Sequence, residues 1–413
     1  MAKFEVKTEK GSLTGPLHGV KVVCCSTAQA GTVPYMLMAD LGAEVIKIEV
    51  PSVGDKSRNQ GIVPGYPSSY FETNNRGVKS LTLNLKDSRG QNILHELVAK
   101  ADIFGQNFRP GAAKRNGFSY DELKTVNPKL VYASVSGYGP DGPNAHLPGT
   151  DAMGQALGGV AEAFSIPGKP LRTGVVSVAD ETCAILTFGG ILAALLYART
   201  SGKGQKVDTS LLGGQIRLMG WTLTNTLWRN SPPVTGQVRV AGTSERPSMS
   251  ANFVDKMGKP FVFQLNGQSW EKAMRAIGVY ELFGELGFRD LGATVSCEEK
   301  RETMLENLDA WFSAENREHW VNLLRAADIV AAPINTMLEA SENPDVLANG
   351  YLTEVEYPEF EKTVKVHGSP WKFSETPPQV GTAPKLGEHT HVILSELGYS
   401  GPEIQSLRDA GVV

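Results

Sequence analysis

Short apolar runs alternate with amphipathic segments along the first half of the chain. Residues 19–25 (GVKVVCC) form a β-rich apolar run, followed by the turn STAQAG and a helix-like stretch over 34–41. The run 43–49 (AEVIKIE) reads as a second strand, with Val45, Ile46 and Ile48 apolar. Strand, turn, helix and strand in this order predict a βαβ unit and with it a parallel sheet. The order recurs. Residues 79–85 (KSLTLNL) alternate as a strand does, 88–99 carry helical spacing, 102–108 are strand-like, 121–126 are a helix fragment and 130–135 (LVYASV) are a further strand. The pattern over 15–210 predicts a doubly wound α/β domain.

The texture changes from Arg229. SPPVTGQVRVAGTSERPSMS is rich in proline, glycine and serine and reads as a linker or mobile loop. ANFVDKMGKPFVFQLN then predicts a hairpin about a glycine turn, with helices over 269–277, 300–312 and 317–327 and an extended run at IVAAPINT. The tail predicts strands over 353–357 and 363–366 and a helix over 389–397.

At 413 residues the chain has room for two domains, on a prior of roughly 150 residues each. Hydrophobic residues are 41% and charged residues 20%, which gives a packed core rather than disorder. The net charge is −4 with no long run of one sign, which argues against a nucleic-acid partner. Cys24, Cys25, Cys183 and Cys297 form no CxxC pair, so buried thiols in a reducing compartment are expected. The amino-terminal MAKFEVKTEKGSLTGPL lacks the apolar centre of a secretion signal. Residues 183–198 come nearest to a membrane span but fall short of the ~18–20 residues one needs. They are expected to be a core helix, and the protein cytoplasmic, without a membrane partner.

A nucleotide-binding dehydrogenase requires a glycine-rich first turn, so that backbone can approach the pyrophosphate. Here the turn is CSTAQAGTVP, with one glycine, and that reading fails. The more informative stretch is VADETCAILTFGGILAALLYARTSGKGQKVDTS, in which Asp180 stands at the head of an apolar helix-forming segment. An aspartate there is either a helix cap or a covalent nucleophile. The local residues leave both open.

In order and spacing, LHGVKVVCCSTAQAG, LGAEVIKIEVPSVGD, NNRGVKSLTLNLK, QNFRPGAAKRNGFSYDEL, NPKLVYASVSGYGPDGP, the Asp180 segment with SGKGQKVD, AAPINT and LGEHTHVILSELGYSGPEI resemble the class III CoA-transferases, the family that contains formyl-CoA transferase and the carnitine CoA-transferases. The resemblance runs almost end to end. It implies an α/β fold with a Rossmann-like large domain over 1–225, a smaller α/β domain over 226–330, and a segment over 331–413 that returns to the large domain. It also implies an interlocked homodimer, or a heteromer with a homologous chain.

The resemblance places the nucleophile at Asp180 and a neighbouring amide at Gln29. A carboxylate attacking a thioester gives a mixed anhydride and CoA thiolate, which returns to form an aspartyl-CoA thioester that the acceptor acid then discharges. With an ordinary pKa near 4, Asp180 would be ionised and in need of positioning rather than activation. CoA-contact positions carry over onto Ala30, Leu83, Asn84, Leu85, Lys86, Asn107, Phe108, Arg109 and Arg115, and onto Gly149, Thr150 and Asp151. Lys86, Arg109 and Arg115 are expected to meet the nucleotide phosphates, Leu83 and Phe108 the adenine. CoA enters as part of the acyl-CoA substrate; no tightly bound cofactor and no metal site are expected, His389 and His391 lacking cysteine partners nearby.

Three positions depart from the formyl enzyme: Val50 replaces an arginine, Thr150 a tyrosine, and GTSERPSMS a run of four glycines. A bulkier acyl group than formate or oxalate is therefore expected, with succinyl-CoA a frequent family donor. An α-methylacyl-CoA racemase is the rival on the same fold, but it needs a histidine where Thr150 stands, and His146 is out of register and expected at the surface. One subunit of a heteromeric transferase is the other alternative.

Overall fold

The computed structural model describes residues 15–174, 176–233 and 239–413. Most of the amino-terminal segment read for a secretion signal, and residues 234–238 of the expected linker, lie outside them. The chain divides into two compact units. One takes the described parts of Met1–Ala163, Leu171–Pro233 and Leu347–Val413; the other takes those of Phe164–Pro170 and Val234–Val346.

The first unit is built on six parallel strands: β1 (Lys21–Cys25), β2 (Glu44–Glu49), β3 (Lys79–Thr82), β4 (Ile103–Gln106), β5 (Val131–Ser136) and β6 (Lys206–Ser210). Their order is β3-β2-β1-β4-β5-β6. Alternate residues of β1 enter opposite apolar layers. Val22 and Cys24 pack with Tyr35, Met38, Phe188 and Ile191, whereas Val23 and Cys25 pack with Leu81, Ile93, Phe104 and Phe118. Burial on both faces is why these strands read as continuous apolar runs. The strand order reverses between β1 and β4, and in open α/β sheets the crevice beyond the carboxyl ends at that point is where ligands bind.

The apolar segment after Asp180 is one helix, Val178–Ser201, closed by Gly202 in the left-handed region at φ 73°. Its 24 residues exceed the expected core segment, and it is long and apolar enough to cross a membrane. Its Ala184, Phe188, Ile191, Ala194, Leu195 and Ala198 are nevertheless buried in the layer beside β1, where Phe188 stacks on Trp371 at 5.4 Å. Ile185 and Leu196 on the same helix, and Trp221 and Trp228 on the helix Leu211–Arg229, are exposed in the single chain.

In the second unit, β7 (Val240–Gly242), β8 (Pro247–Val254), β9 (Pro260–Asn266) and β10 (Val330–Pro333) form an antiparallel sheet in the order β10-β9-β8-β7. The expected hairpin is β8–β9. The expected linker is corrected: its later part supplies β7 and the start of β8, whose residues alternate buried and exposed. Met249, Ala251 and Phe253 point into a core with Phe261, Phe263 and Phe312, and that alternation outweighs the serines and proline.

The tail carries the hairpin β11 (Leu352–Tyr357) and β12 (Lys362–His367), the helix Thr390–Leu397 and a further helix, Gly401–Asp409, absent from the expectation above. Ser400 and Glu403 form a capping box at its start. Ile393, Leu394, Ile404 and Leu407 join the layer that holds Leu81 and Phe104. Cys24, Cys25 and Cys183 are buried free thiols, as expected; Cys297 is half-buried and free.

Candidate active site

Beyond the carboxyl ends of β1, β2 and β3 lies a cavity of about 510 Å³ lined by Cys25, Ile48, Glu49, Val50, Pro51, Ser52, Leu83, Asn84, Leu85, Lys86, Phe108, Asn116, Phe118 and Gly411. Five residues expected to touch CoA therefore share one cavity. Leu83 forms its buried floor, Phe108 stands 37% exposed with its ring edge-on to Phe118 at 5.2 Å, and Lys86 is exposed at the rim. Asn84 is held from two sides, its N–H donating to the Val412 carbonyl and its Oδ1 accepting from the Lys86 N–H. Val50 lines the same cavity, 57% exposed.

Other expected contacts have different surroundings. Asn107 bridges the loops after β1 and β4: its Oδ1 accepts from the Thr27 N–H at 3.0 Å and its Nδ2 donates to the Thr27 carbonyl at 2.8 Å. Arg109 and Arg115 are exposed on the turn and short helix that follow, outside the cavity lining. Ala30 is buried with Val135, Ala179, Cys183 and Leu211, beneath the head of the long helix. Gly149 packs backbone to backbone against Gly137, and a Cβ on Gly149 would lie 2.4 Å from the Gly137 Cα. Thr150 is the exposed residue preceding the helix Asp151–Leu157, and His146 is exposed as expected.

Asp180 is the third residue of its helix, and Ser177 is the residue at the cap position, with no side-chain cap bond. The cap comes from elsewhere in the chain. Asp151 Oδ1 accepts from the Ala179 N–H at 2.8 Å and from the Asp180 N–H at 3.0 Å, satisfying two of the donors a helix leaves unpaired. Asp151, expected beside CoA, thus caps the helix that carries Asp180. It is itself held by Gln155, whose Nε2 donates to Oδ2 at 2.5 Å and to the Val176 carbonyl at 3.2 Å. Asp180 is thus relieved of capping, and its carboxyl is partly buried.

Burial, then the charges of Asp151 and Glu181, push Asp180 up to about 7. The expectation of a pKa near 4 is corrected, because the sequence shows neither the burial nor which acids fold beside it. Gln29 does not bond to Asp180. Its Nε2 donates to Glu181 Oε2 at 2.8 Å, tying the loop after β1 to the residue next to Asp180. Tyr70, on the helix Ser69–Asn75, faces the same charges: burial, then Asp180, Asp55 and Asp151, push its hydroxyl up to about 12.

A partly buried carboxyl at a helix head, an amide tethered to the next residue and, in the same unit, a largely apolar cavity with Lys86 at its rim are parts suited to acyl transfer to or from a thioester. The model of CoA-transferase family III matches residues 17–390. The chain belongs to CoA-transferase family III. Acetyl-CoA:oxalate CoA-transferase of Acetobacter aceti is 32% identical over 394 residues, covering 94% of this chain and 97% of that one. Succinyl-CoA:glutarate CoA-transferase of Mus musculus is 32% identical, covering 96% and 90%. A CAIB/BAIF family protein from Brucella suis superposes with a TM-score of 0.81 at 28% identity, over 93% of this chain and all of that one. This family III CoA-transferase is an enzyme that moves CoA between carboxylic acids, with CoA thioesters as substrates.

Sequence reasoning passed over Tyr70, Glu181 and Gly411. Glu181 carried a signal, an acid directly after Asp180. Tyr70 lies in a polar stretch (SYFETNN) with no apolar period, and Gly411 reaches the cavity from the far end of the chain. Among the described residues no cluster of His, Cys, Asp and Glu is suited to hold a metal ion.

Proposed function

We propose that Asp180 is the covalent nucleophile of an acyl-CoA:carboxylate CoA-transferase. Its carboxylate attacks the donor thioester carbonyl, forming a mixed anhydride and releasing CoA thiolate. The thiolate attacks the aspartyl carbonyl, frees the donor acid and leaves an aspartyl-CoA thioester. The acceptor carboxylate attacks that thioester, forming a second mixed anhydride and expelling CoA thiolate, which attacks the acceptor carbonyl to give the new acyl-CoA and free the Asp180 carboxylate. The observation that carries this is the cap supplied by Asp151, which leaves the Asp180 carboxyl in the first turn of the helix with no capping duty. The positive end of that helix favours the anion. The Gln29 amide has two N–H donors, one committed to Glu181 and the second available to the developing oxyanion.

The cavity at Leu83, Lys86 and Phe108 is the proposed CoA site, with Val50 in place of the family's arginine on its wall and Arg109 and Arg115 reaching phosphates from outside its lining. Thr150, exposed and small where the formyl enzyme has a tyrosine, favours an acceptor bulkier than oxalate, and the glutarate enzyme of mouse is named for such an acid and for succinyl-CoA as donor.

Brief exposure to a panel of acyl-CoAs, followed by peptide mapping, tests the mechanism. A hydroxylamine-sensitive adduct is expected on the Asp180 peptide, forming faster as pH rises through about 7 because the carboxylate is the attacking form. An adduct on any other residue sinks the assignment. The exposed Ile185, Leu196, Trp221 and Trp228 support a partner chain, a second copy or a homologue, that covers them. Sedimentation of the purified enzyme is expected to give at least twice the chain mass; a single-chain mass removes that part of the proposal.

A further inference from the structure

The loop between β1 and Gln29 is held through its backbone by side chains from distant segments. Lys47 Nζ donates to the Ser26 carbonyl at 2.7 Å and to Asp55 Oδ2 at 2.8 Å. Asp55 Oδ1 accepts from the Ala28 N–H, a longer bond of 3.4 Å, and from the Ser57 N–H at 2.9 Å. Asn107 takes both backbone groups of the residue between, Thr27. Three consecutive residues ahead of Gln29 are thereby fixed by side chains.

The hold works against local preference. Ala28 has φ 62°, in the left-handed region that residues other than glycine rarely adopt. Gln29 follows directly, its own carbonyl accepting from the Thr32 and Val33 N–H groups, so the Ala28 backbone sets the direction from which its side chain leaves the loop.

Stability alone does not account for the pair. Lys47 and Asp55 side chains are each 1% exposed, and a buried ion pair is weak as a source of stability, since well-packed apolar residues do as well or better. What apolar residues cannot do is fix a carbonyl and an amide two residues apart. The pair is embedded further: Glu49 Oε2 accepts from the Asp55 N–H at 2.9 Å, Arg58 donates to both Glu49 oxygens, and Ser80 Oγ donates to Glu49 Oε1 at 2.7 Å. Glu49 lines the 510 Å³ cavity, so one buried network supports both the cavity wall and the Gln29 loop.

We propose that the Lys47–Asp55 pair is the positioning brace of this enzyme, holding the Ser26–Ala28 backbone so that the Gln29 amide is aimed at the reacting carbonyl. This rests on the role given to Gln29 above. Lys47 and Asp55 touch no substrate; they act through the loop.

The test pairs Lys47→Met/Asp55→Asn, which leaves no unpaired buried ion and keeps an acceptor for the Ser57 N–H, with Lys47→Gln/Asp55→Asn, equally uncharged but polar at both positions, in case the first does not fold. Adduct formation on the Asp180 peptide is expected to slow about tenfold, with CoA affinity within about threefold of the parent enzyme. In a Gln29→Ala background the same changes are expected to cost less than about twofold, because the group being aimed is already gone. Equal losses in both backgrounds, or no loss in either, overturn the brace.

Hydrogen exchange of the peptide covering 26–33 gives a readout independent of transfer. It is expected to quicken in both variants while the peptide at the head of the long helix stays unchanged. Unchanged loop exchange overturns the brace whatever the activity. A parent enzyme that forms no adduct would overturn the proposed mechanism and leave exchange to judge the brace.

Discussion

Replacing Asp180 by asparagine is expected to lower CoA transfer by on the order of 10⁴-fold or more, and at the same time to make the folded enzyme more stable at pH 8. The first effect follows from removing the nucleophile. The second follows from the environment, since burial, then Asp151 and Glu181, raise the Asp180 carboxyl from 3.8 to about 7. Between those values the folded chain binds a proton that the unfolded chain has released, so stability falls as pH rises through that window. Above it the parent enzyme carries the full cost of a confined anion, and asparagine does not. The favourable helix dipole offsets some of this, by about 0.3–1 kcal/mol. The full shift would correspond to ~4 kcal/mol. Solvent screening of a partly accessible carboxyl brings the expectation to about 1–2 kcal/mol, or a few degrees in Tm. Thermal denaturation at pH 8 and pH 4 measures it: the difference is expected at pH 8 and absent at pH 4. An asparagine variant less stable than the parent at pH 8 would make Asp180 a structural residue, and one retaining transfer would place the nucleophile elsewhere.

Gln29→Ala is expected to slow acyl transfer by about 10²–10³-fold, with little change in CoA affinity. The amide is tethered to Glu181 at 2.8 Å and follows directly on the braced loop, whereas the cavity assigned to CoA is lined by other residues. A loss confined to kcat fits a donor that acts on the oxyanion. A change in KM alone would make Gln29 a binding residue, and no change would make it a solvated loop glutamine.

The strands of the first unit were legible because both faces of a parallel sheet are buried, so GVKVVCC and LVYASV show as apolar runs whatever surrounds them. Two further elements left signals that composition masked. PSMSANFV alternates buried and exposed positions as a strand should, yet its proline and serines resemble a linker. The helix Gly401–Asp409 begins with a capping box that its short apolar content did not reinforce. The helix Ser69–Asn75 left none, being polar and held by the fold around it.

By itself the sequence determined the α/β class, the parallel first sheet and the family, and it named Asp180 and Gln29 as the candidate residues of the site. These are matters of local period and of motif order, which survive without coordinates. Only the tertiary structure decided what those residues do to one another. Gln29 meets Glu181 across 152 positions, and Asp151 caps a helix that starts 27 residues later. The elevated pKa of Asp180 and the clamp on Ala28 arise from groups that are neighbours only once the sheet has closed around them. Electrostatic and hydrogen-bond energies depend on distance in space and on burial, and neither quantity is written in the order of the residues.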